Sequence, residues 1–310
     1  MHEVKYPNPA ARKAWAELVG LDSIKAQLLE TLELLLEPSR LLDWQRQHHP
    51  KGLKLASLLT STWPLIVLEG DVGCGKSALA SCVGDPLASR LQSPIVLLEA
   101  PGNIRGTGLV GEISTRIAET FKVAREKVPR RGYVLLVLDE GDDVATSREQ
   151  LQAHHEDRAG VNALLKELDR LVGEPSRIAV VLITNRGAAL DPALLRRASL
   201  RLHFDRPRGA ALRALLRSLF AGISLSSREL ETVAQRCERE LPYTPSDLVH
   251  RVGRAIVLGA LQENRAVALS DVLRALDEIE PTPPFGRGRR NTAEQSMNID
   301  PHDQVEDRDG

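Results

Sequence analysis

Hydrophobic residues follow two different spacings along the chain, and each spacing predicts one kind of element. Between Ala10 and Leu36 aliphatic residues recur every three or four positions, which is the period of an amphipathic helix. Further on, short continuous aliphatic runs alternate with helical stretches, as in parallel sheets that are buried on both faces. The strand-like runs are Leu65–Leu68, Ile95–Leu98, Tyr133–Leu138, Ile178–Ile183 and Leu200–Phe204. We therefore expect an α/β fold with a five-stranded parallel sheet covered by helices.

The strand-like runs stop at Pro207, and only helical periods follow. This change predicts a second, small, all-α domain. From residue 281 the chain is rich in proline and charge and has too little apolar surface to offset its ordering entropy. The expected organisation is an N-terminal extension (1–14), an α/β domain (15–206), a helical domain (207–280) and a disordered tail (281–310).

Composition narrows the classes of function. The 310 residues carry a formal charge of −1 and only 3% aromatic residues, which argues against a basic nucleic-acid coat or a base-stacking surface. The sequence contains no apolar run of the roughly 20 residues that a membrane span needs and no signal-peptide pattern at its start. Three cysteines without a CxxC pair fit a reducing compartment. We expect a cytoplasmic protein that binds neither membrane nor nucleic acid.

A phosphate-binding loop follows the first strand-like run. The pattern G-x-x-x-x-G-K-[ST] is completed by Gly70, Asp71, Val72, Gly73, Cys74, Gly75, Lys76 and Ser77. Glycines let backbone N–H groups surround a phosphate, Lys76 places a cation on its outer oxygens, and the hydroxyl of Ser77 is a Mg²⁺ ligand. The helix that starts here adds the positive end of its dipole. The loop predicts that ATP and Mg²⁺ bind here, with Cys74 as an arbitrary small residue or, alternatively, an oxidation-sensitive one.

Polar residues at the ends of two later strands complete a hydrolytic set. Asp139 and Glu140 follow the third strand-like run, at the sheet edge where open α/β folds bind ligands. Asp139 is predicted to hold Mg²⁺ through water, and Glu140 to orient or deprotonate the attacking water. Asn185 follows the fourth run, where its amide can donate to the γ-phosphate and position that water.

The order of these motifs resembles the AAA+ ATPase family, whose members usually form rings. The resemblance implies a P-loop NTPase domain followed by a helical lid. In its terms Val19 and Gly20 pack against adenine, Asp139-Glu140 is the Walker B motif, and Asn185 is sensor 1. The segment from Leu190 to Arg197 matches the one that bears the family's arginine finger.

Within this family the sequence is similar to the Pch2/TRIP13 branch at two places. The stretch Arg158–Leu171 reads RAGVNALLKELDRL, and Arg197–Arg201 reads RASLR where the branch has R-A-D-x-K. Arg197 is then the expected finger and Arg196 the reserve. A finger acts on the ATP of a neighbouring subunit, so a homo-oligomer, a hexamer, is implied. Bacterial relatives of this branch act on HORMA-domain proteins in cyclic-nucleotide antiviral (CBASS) signalling.

Three features depart from that branch. Asp247 stands where the branch has its sensor 2 arginine, which leaves Ser246 as the expected nucleotide contact of the lid. The pore loop reads Leu109-Val110-Gly111 instead of beginning with an aromatic residue. Leucine can still hold an extended polypeptide by apolar contact, though more weakly than an aromatic ring would. The third departure is the missing N-terminal recognition domain, so the target is expected to bind the ring directly or to arrive on another protein.

The resemblance as a whole implies an ATPase that remodels or unfolds a protein by threading it through a central pore, with a HORMA-domain protein as the expected substrate. The alternatives are a DNA-acting loader or transposition helper, another AAA-type unfoldase, and a nucleotide-gated scaffold with negligible turnover. The near-neutral charge disfavours the DNA-acting class. An intact Glu140 and Arg197 disfavour the scaffold.

Overall fold

A computed structural model describes residues 1–100, 111–142, 155–172 and 177–284, with side chains in the third of these ranges from residue 159 onward. Its centre is a single six-stranded sheet. The strands are β1 (His2–Tyr6), β2 (Leu65–Gly70), β3 (Ile95–Glu99), β4 (Tyr133–Leu138), β5 (Ile178–Thr184) and β6 (Ala198–Phe204). The last five correspond to the five aliphatic runs of the sequence, and the expected α/β class is confirmed.

The strand order in the sheet is β1-β3-β4-β5-β2-β6, with the phosphate-loop strand β2 between β5 and β6. The pairs among β2 to β6 are parallel, so the carboxyl ends of these strands lie at one edge. Ligands of open α/β sheets bind at such an edge. The topology therefore brings the predicted site residues to one side of the molecule.

The expected count of five strands was wrong, because β1 adds an antiparallel edge strand beside β3. Val4 lies opposite Leu97, and Tyr6 lies opposite Ile95. The segment His2–Tyr6 carries only two apolar side chains among charged ones, which fits an edge strand but gives no continuous aliphatic run. The start of the chain, predicted to be an extension, is thus a part of the sheet.

Helices cover both faces of the sheet. Pro9–Glu17, Asp22–Leu36, Lys76–Cys82 and Gly84–Leu91 pack on one face, and Glu112–Glu126 and His155–Leu171 pack on the other. The single helical period between Ala10 and Leu36 is divided at Gly20, whose φ of +82° lies in the left-handed region. Two further helices, Ser39–His48 and Lys54–Leu59, precede β2 where the sequence predicts only mixed structure.

A separate helical group follows β6 and forms its own hydrophobic core. Its helices are Gly209–Leu219, Ser227–Cys237, a π-helix at Asp247–Gly253, Arg254–Gln262 and Leu269–Glu278. Tyr243 and Leu216 lie in this core, fully shielded from solvent. We call this group the helical domain. Over the part of the chain that the structure describes, no helix is long and apolar enough to cross a membrane.

Candidate functional site

A cavity of about 720 Å³ opens at the carboxyl edge of the sheet, between the phosphate loop and the helical domain. It gathers residues that are far apart in the sequence. Its lining includes Lys76, Ser77, Asp139, Glu140 and Asn185. The structure thus places the loop lysine and hydroxyl, the paired carboxyl groups and the strand-end amide around one space.

The phosphate loop is shaped by glycines in conformations that other residues avoid. Gly73 and Gly75 have φ values of +77° and +95°. A Cβ on Gly70 would lie 2.3 Å from the carbonyl oxygen of Phe204, so β2 and β6 could not approach so closely with any other residue there. These glycines keep the backbone open toward the cavity, to which Val72 adds an exposed side chain.

Lys76 is a buried cation, with 5% of its surface exposed. Its Nζ donates to the carbonyl oxygens of Gly70 (2.8 Å) and Asp71 (2.7 Å). Among the described residues no carboxylate lies within ion-pair distance of it, and burial lowers the pKa of its ammonium group. A desolvated, unpaired cation at the mouth of a glycine loop fits an anionic ligand such as a phosphate.

Ser77 and Asp139 meet across the cavity, since the Oγ of Ser77 donates to Oδ2 of Asp139 at 2.8 Å. A hydroxyl and a carboxylate at this distance form a donor set that suits Mg²⁺. Glu140 follows with a φ of +54°, in the left-handed region, while its N–H is held by Oδ1 of Asp139 at 2.8 Å. Non-glycine residues in this region concentrate at functional sites. The carboxylate of Glu140 is exposed to the cavity.

Asn185 is positioned by the buried end of β5. Thr184 is fully buried, and its hydroxyl donates to Oδ1 of Asp142 at 2.9 Å and accepts the N–H of Arg186 at 2.9 Å. These bonds tie the backbone on either side of Asn185 to the segment that follows β4. The backbone of Asn185 is therefore held in place at the rim of the cavity, which this residue lines.

A second cavity, of about 800 Å³, lies on the other side of Gly75. Val19 and Gly20 line it, as do Asp71 and Cys74. One part of its wall is aliphatic, with Leu18, Leu21 and Ile24, and suits a flat apolar ring such as a nucleobase. Cys74 is buried, and desolvation raises its pKa to about 11, so its thiol stays protonated and unreactive at neutral pH.

The helical domain closes directly on the phosphate loop. The N–H of Ser246 donates to the carbonyl oxygen of Gly73 at 3.1 Å, and a Cβ on Gly73 would lie 2.7 Å from Cβ of Ser246. Ser246 lines the first cavity. Asp247 points elsewhere, because it is buried and accepts the backbone N–H groups of Thr244 (3.1 Å) and Thr282 (3.2 Å).

The sequence gives no sign of the role of Arg206, which joins the phosphate loop to the middle of the helical domain and to the segment that follows its last helix. Its side chain is 7% exposed and its Nε donates to Oδ2 of Asp71 at 2.7 Å. Its other nitrogens donate to the carbonyl oxygens of Pro242 and Thr282, each at 2.7 Å. A single arginine before a proline carries no sequence signal of such a role. Thr282, which the sequence assigns to the tail, is thereby held beside the site.

The two candidate finger arginines have different surroundings. Arg197 forms a two-pronged ion pair with Asp169, with Nε to Oδ1 at 2.8 Å and Nη2 to Oδ2 at 3.1 Å. Its guanidinium also lies 5.3 Å from the ring centre of Trp63. The bonds from Arg197 and from the indole N–H of Trp63 lower the pKa of Asp169. Arg196 is exposed, and its side chain has no hydrogen-bond or ion-pair partner within the described ranges.

The expected pore loop is described only in part. Leu109 and Val110 lie outside the described residues. Gly111 precedes the helix Glu112–Glu126 with a φ of +83° and has open space around its Cα. An open left-handed glycine at this point lets the chain enter the helix sharply.

Comparison with known proteins places the chain among the ATPases. The model of the AAA family, the ATPase family associated with various cellular activities, matches residues 66–206. CD-NTase-associated protein 6 of Escherichia coli (strain MS 115-1) is 36% identical over 294 residues, which are 91% of this chain and 94% of that protein.

Solved structures agree with this placement. A chain of the E. coli MS115-1 HORMA:CdnC:Trip13 complex superposes with a TM-score of 0.85 at 36% identity, over 92% of this chain and 96% of that one. Rhizobiales Trip13 superposes with a TM-score of 0.72 at 33% identity, over 91% and 99% of the two chains. The similarity therefore extends over both the α/β domain and the helical domain.

Proposed function

Because the chain belongs to the AAA family of ATPases, and within it to the group of CD-NTase-associated protein 6 and Trip13, we propose that it hydrolyses ATP in a ring to remodel a HORMA-domain protein. One observation carries the hydrolytic half of this proposal. A buried lysine, a hydroxyl, two carboxyl groups and an amide line a single cavity that the helical domain closes.

Each residue of the cavity has a separate task in this mechanism. Lys76 and the N–H groups of the loop hold the phosphates, and Glu140 takes the proton of the attacking water or orients that water. Asn185 donates to the transferred phosphate. Ser77 and, through water, Asp139 would hold Mg²⁺, which neutralises charge on the phosphate oxygens when it is bound.

The active site is completed by an arginine of the neighbouring subunit in a ring, which we take to be a hexamer. Arg196 is the better candidate for this finger than Arg197, which reverses the order expected from sequence. Arg196 is exposed and unpaired among the described residues, whereas release of Arg197 would break its paired bonds to Asp169. The ion pair of Arg197 with Asp169 then holds in place the chain segment that carries Arg196.

The protein partner is assigned from the relatives. The solved complex that contains Trip13 also contains a HORMA protein and CdnC, and similarity to it covers 92% of this chain. We infer that this chain serves a CBASS antiviral system in the cytoplasm and pulls its HORMA partner by the Leu109-Val110-Gly111 loop. Hydrolysis would move these loops against the bound segment as subunits change orientation.

The hydrolytic proposal is tested by Glu140→Gln and Lys76→Ala. We expect Glu140→Gln to bind ATP with wild-type affinity but to lose at least about 100-fold in turnover, the scale of general-base catalysis. Lys76→Ala should lose ATP binding itself. Fluorescent-nucleotide titration and phosphate release measure the two effects separately. Wild-type turnover in the Glu140→Gln protein would contradict the role given to this carboxylate.

The partner proposal needs its own experiment. The Glu140→Gln protein with ATP is mixed with a HORMA-domain protein from the same genome, or with the HORMA protein of the E. coli MS115-1 complex, and complex formation is followed by size-exclusion chromatography. A ring-sized complex that forms with ATP and dissociates on hydrolysis in the wild-type protein is expected. ATP turnover that duplex DNA stimulates in a steeply salt-dependent way, with no response to the HORMA protein, would overturn it in favour of the DNA-acting class.

A further inference from the structure

The helical domain contributes one basic side chain to the phosphate side of the site. Its residues on the first cavity are Pro245, Ser246, Val249 and His250. Pro245 and Val249 also line the second cavity, but His250 does not. His250 therefore faces the space that holds Lys76 and the paired carboxyl groups, away from the wall that suits a nucleobase.

The residue that sequence comparison places at the sensor 2 position cannot reach this space. Asp247 is 2% exposed, and its carboxylate accepts from Thr244, from Thr282 and from Nη1 of Arg251 at 3.1 Å. Burial raises the pKa of Asp247, but the bonds from Thr282, Thr244 and Arg251 outweigh it and leave the pKa below its ordinary value. The carboxylate of Asp247 is thus occupied by hydrogen bonds within the helical domain and to Thr282, which follows the last helix.

The side chain of Arg251 lies on the same side of the π-helix as Asp247, toward Thr282. Its Nη1 also donates to the carbonyl oxygen of Glu280 at 2.8 Å and to the hydroxyl of Thr282 at 3.1 Å. It does not line the first cavity. The two charged residues that flank His250 in this segment are therefore turned toward the end of the domain and away from the phosphates.

The backbone between them explains how His250 comes to face the other way. Asp247–Gly253 is a π-helix, and such segments are rare and frequent at functional sites. Within it Asp247 and Arg251 lie on the side of Thr282, while Val249 and His250 are exposed on the side of the cavity. The seven-residue π-helix thus has one side that binds Thr282 and another side that lines the first cavity.

The ring nitrogens of His250 are available to hydrogen-bond a ligand. In the described part of the chain it makes no hydrogen bond and no ion pair, and it is exposed. Neutral imidazole carries one N–H donor and protonated imidazole carries two, so the ring can donate to a phosphate oxygen in either state. The charged groups that line the same cavity are Lys76, Glu99, Asp139 and Glu140.

We propose that His250 is a nucleotide-binding residue that donates an N–H to a phosphate of bound ATP or ADP, in place of the arginine of the Trip13-like branch. This inference rests on the proposed function, since it uses the same site. It makes the helical domain sense the phosphates through a histidine, one turn beyond the position where the branch has its arginine.

The test compares affinities for ATP, ADP and adenosine in wild type and in His250→Ala, His250→Gln and His250→Arg. A hydrogen bond to a charged group predicts that His250→Ala weakens ATP and ADP binding about 10- to 100-fold and leaves adenosine binding unchanged. His250→Gln, which keeps an N–H donor, should lose less, and His250→Arg should bind ATP at least as well as wild type. Gln262→Ala, at an exposed site of the next helix, is the matched control and should behave as wild type.

The outcomes separate this inference from the function it rests on. If wild type binds ATP and His250→Ala binds it equally well, the role of His250 is wrong while the proposed ATPase stands. Equal weakening of ATP and adenosine would also overturn the inference, because it would indicate a structural role. If wild type binds no ATP and Lys76→Ala changes nothing, the proposed function itself fails.

Discussion

Arg206 connects Asp71 of the phosphate loop to Pro242 of the helical domain and to Thr282 beyond it, and its ion pair with Asp71 leads to a quantitative prediction. The two side chains are 7% and 18% exposed, so their charges are largely removed from water. Replacement of Arg206 by leucine keeps much of the side-chain volume but leaves the carboxylate of Asp71 without its cation. We expect this variant to lose a large part of the stability of the closed protein.

The magnitude follows from the contacts that are lost. Removal of one partner of a buried ion pair costs about 3–5 kcal/mol, since the other charge stays buried and uncompensated. The partial exposure of Asp71 favours the lower end of that range. The carbonyl groups of Pro242 and Thr282 lose their donor as well, which adds a cost of about 1 kcal/mol or more where water cannot replace it. We therefore predict a loss of about 3–5 kcal/mol for Arg206→Leu.

Urea unfolding followed by circular dichroism measures this loss, and a double-mutant cycle assigns it. In Asp71→Asn/Arg206→Leu no carboxylate is stranded, so the double variant should be about 2 kcal/mol more stable than the sum of the single losses predicts. Arg208→Leu is the matched control. Arg208 is an exposed arginine whose side chain, among the residues that the structure describes, donates only to the carbonyl oxygens of Arg239 and Glu240, and its loss should cost less than about 1 kcal/mol.

Two results would refute this reasoning. The first is an Arg206→Leu protein that unfolds within about 1 kcal/mol of wild type, which would mean that water or another donor replaces the guanidinium at no cost. The second is strict additivity of the two substitutions, which would separate the loss from the ion pair. Either result would leave the packing of Gly73 against Ser246 as the remaining link between the two domains.

Two further predictions concern charged groups other than Asp139 and Glu140. Asp247→Asn should lower the free energy of unfolding at pH 7 by about 1–3 kcal/mol. Since the pKa of Asp247 is depressed in the folded protein, its stabilisation is present above the unfolded pKa of about 4 and is lost as the pH falls through the folded value. The difference from wild type should therefore shrink below pH 4, and a constant difference in acid would contradict the assignment. In assembled rings Arg196→Ala should reduce ATP turnover by about 10³-fold or more with unchanged stability, whereas Arg197→Ala should lower the melting temperature because Asp169 loses its partner. A larger turnover loss in Arg197→Ala than in Arg196→Ala would restore the order that the sequence suggested.

The sequence predicts those parts of the molecule that local pattern determines. The runs of β2 to β5 are strands because a strand buried on both faces must be apolar throughout, whereas β6 lies at the sheet edge and alternates buried Leu202 and Phe204 with exposed polar residues. The loop Gly70–Ser77 is recognisable because the positions that need glycine are a fixed number of residues apart. The shared cavity of Asp139 and Asn185 is predictable in the same way, since each residue follows a buried strand and parallel strands end at one edge.

What the sequence does not predict are contacts between residues that no local pattern connects. Arg206 and Asp71 are 135 positions apart, and nothing in either neighbourhood indicates that they meet. The edge strand His2–Tyr6 is missed for a related reason, because an edge strand with one covered face needs few apolar residues. The choice between Arg196 and Arg197 turns on Asp169, a partner that is specified only by packing.

The aspartate at position 247 and the histidine at position 250 belong together for a similar physical reason. The groups around the carboxylate of Asp247 are all donors: the N–H groups of Thr244 and Thr282, the hydroxyl of Thr282 and the guanidinium of Arg251. An arginine at 247 would bring a further cation and further donors against them, with no acceptor in place. The hydrogen bonds that hold Thr282 to the helical domain therefore require an acid at position 247. Any donor for the phosphates then has to come from another position. The exposed ring of His250 on the cavity meets that requirement without disturbing the bonds that hold Thr282.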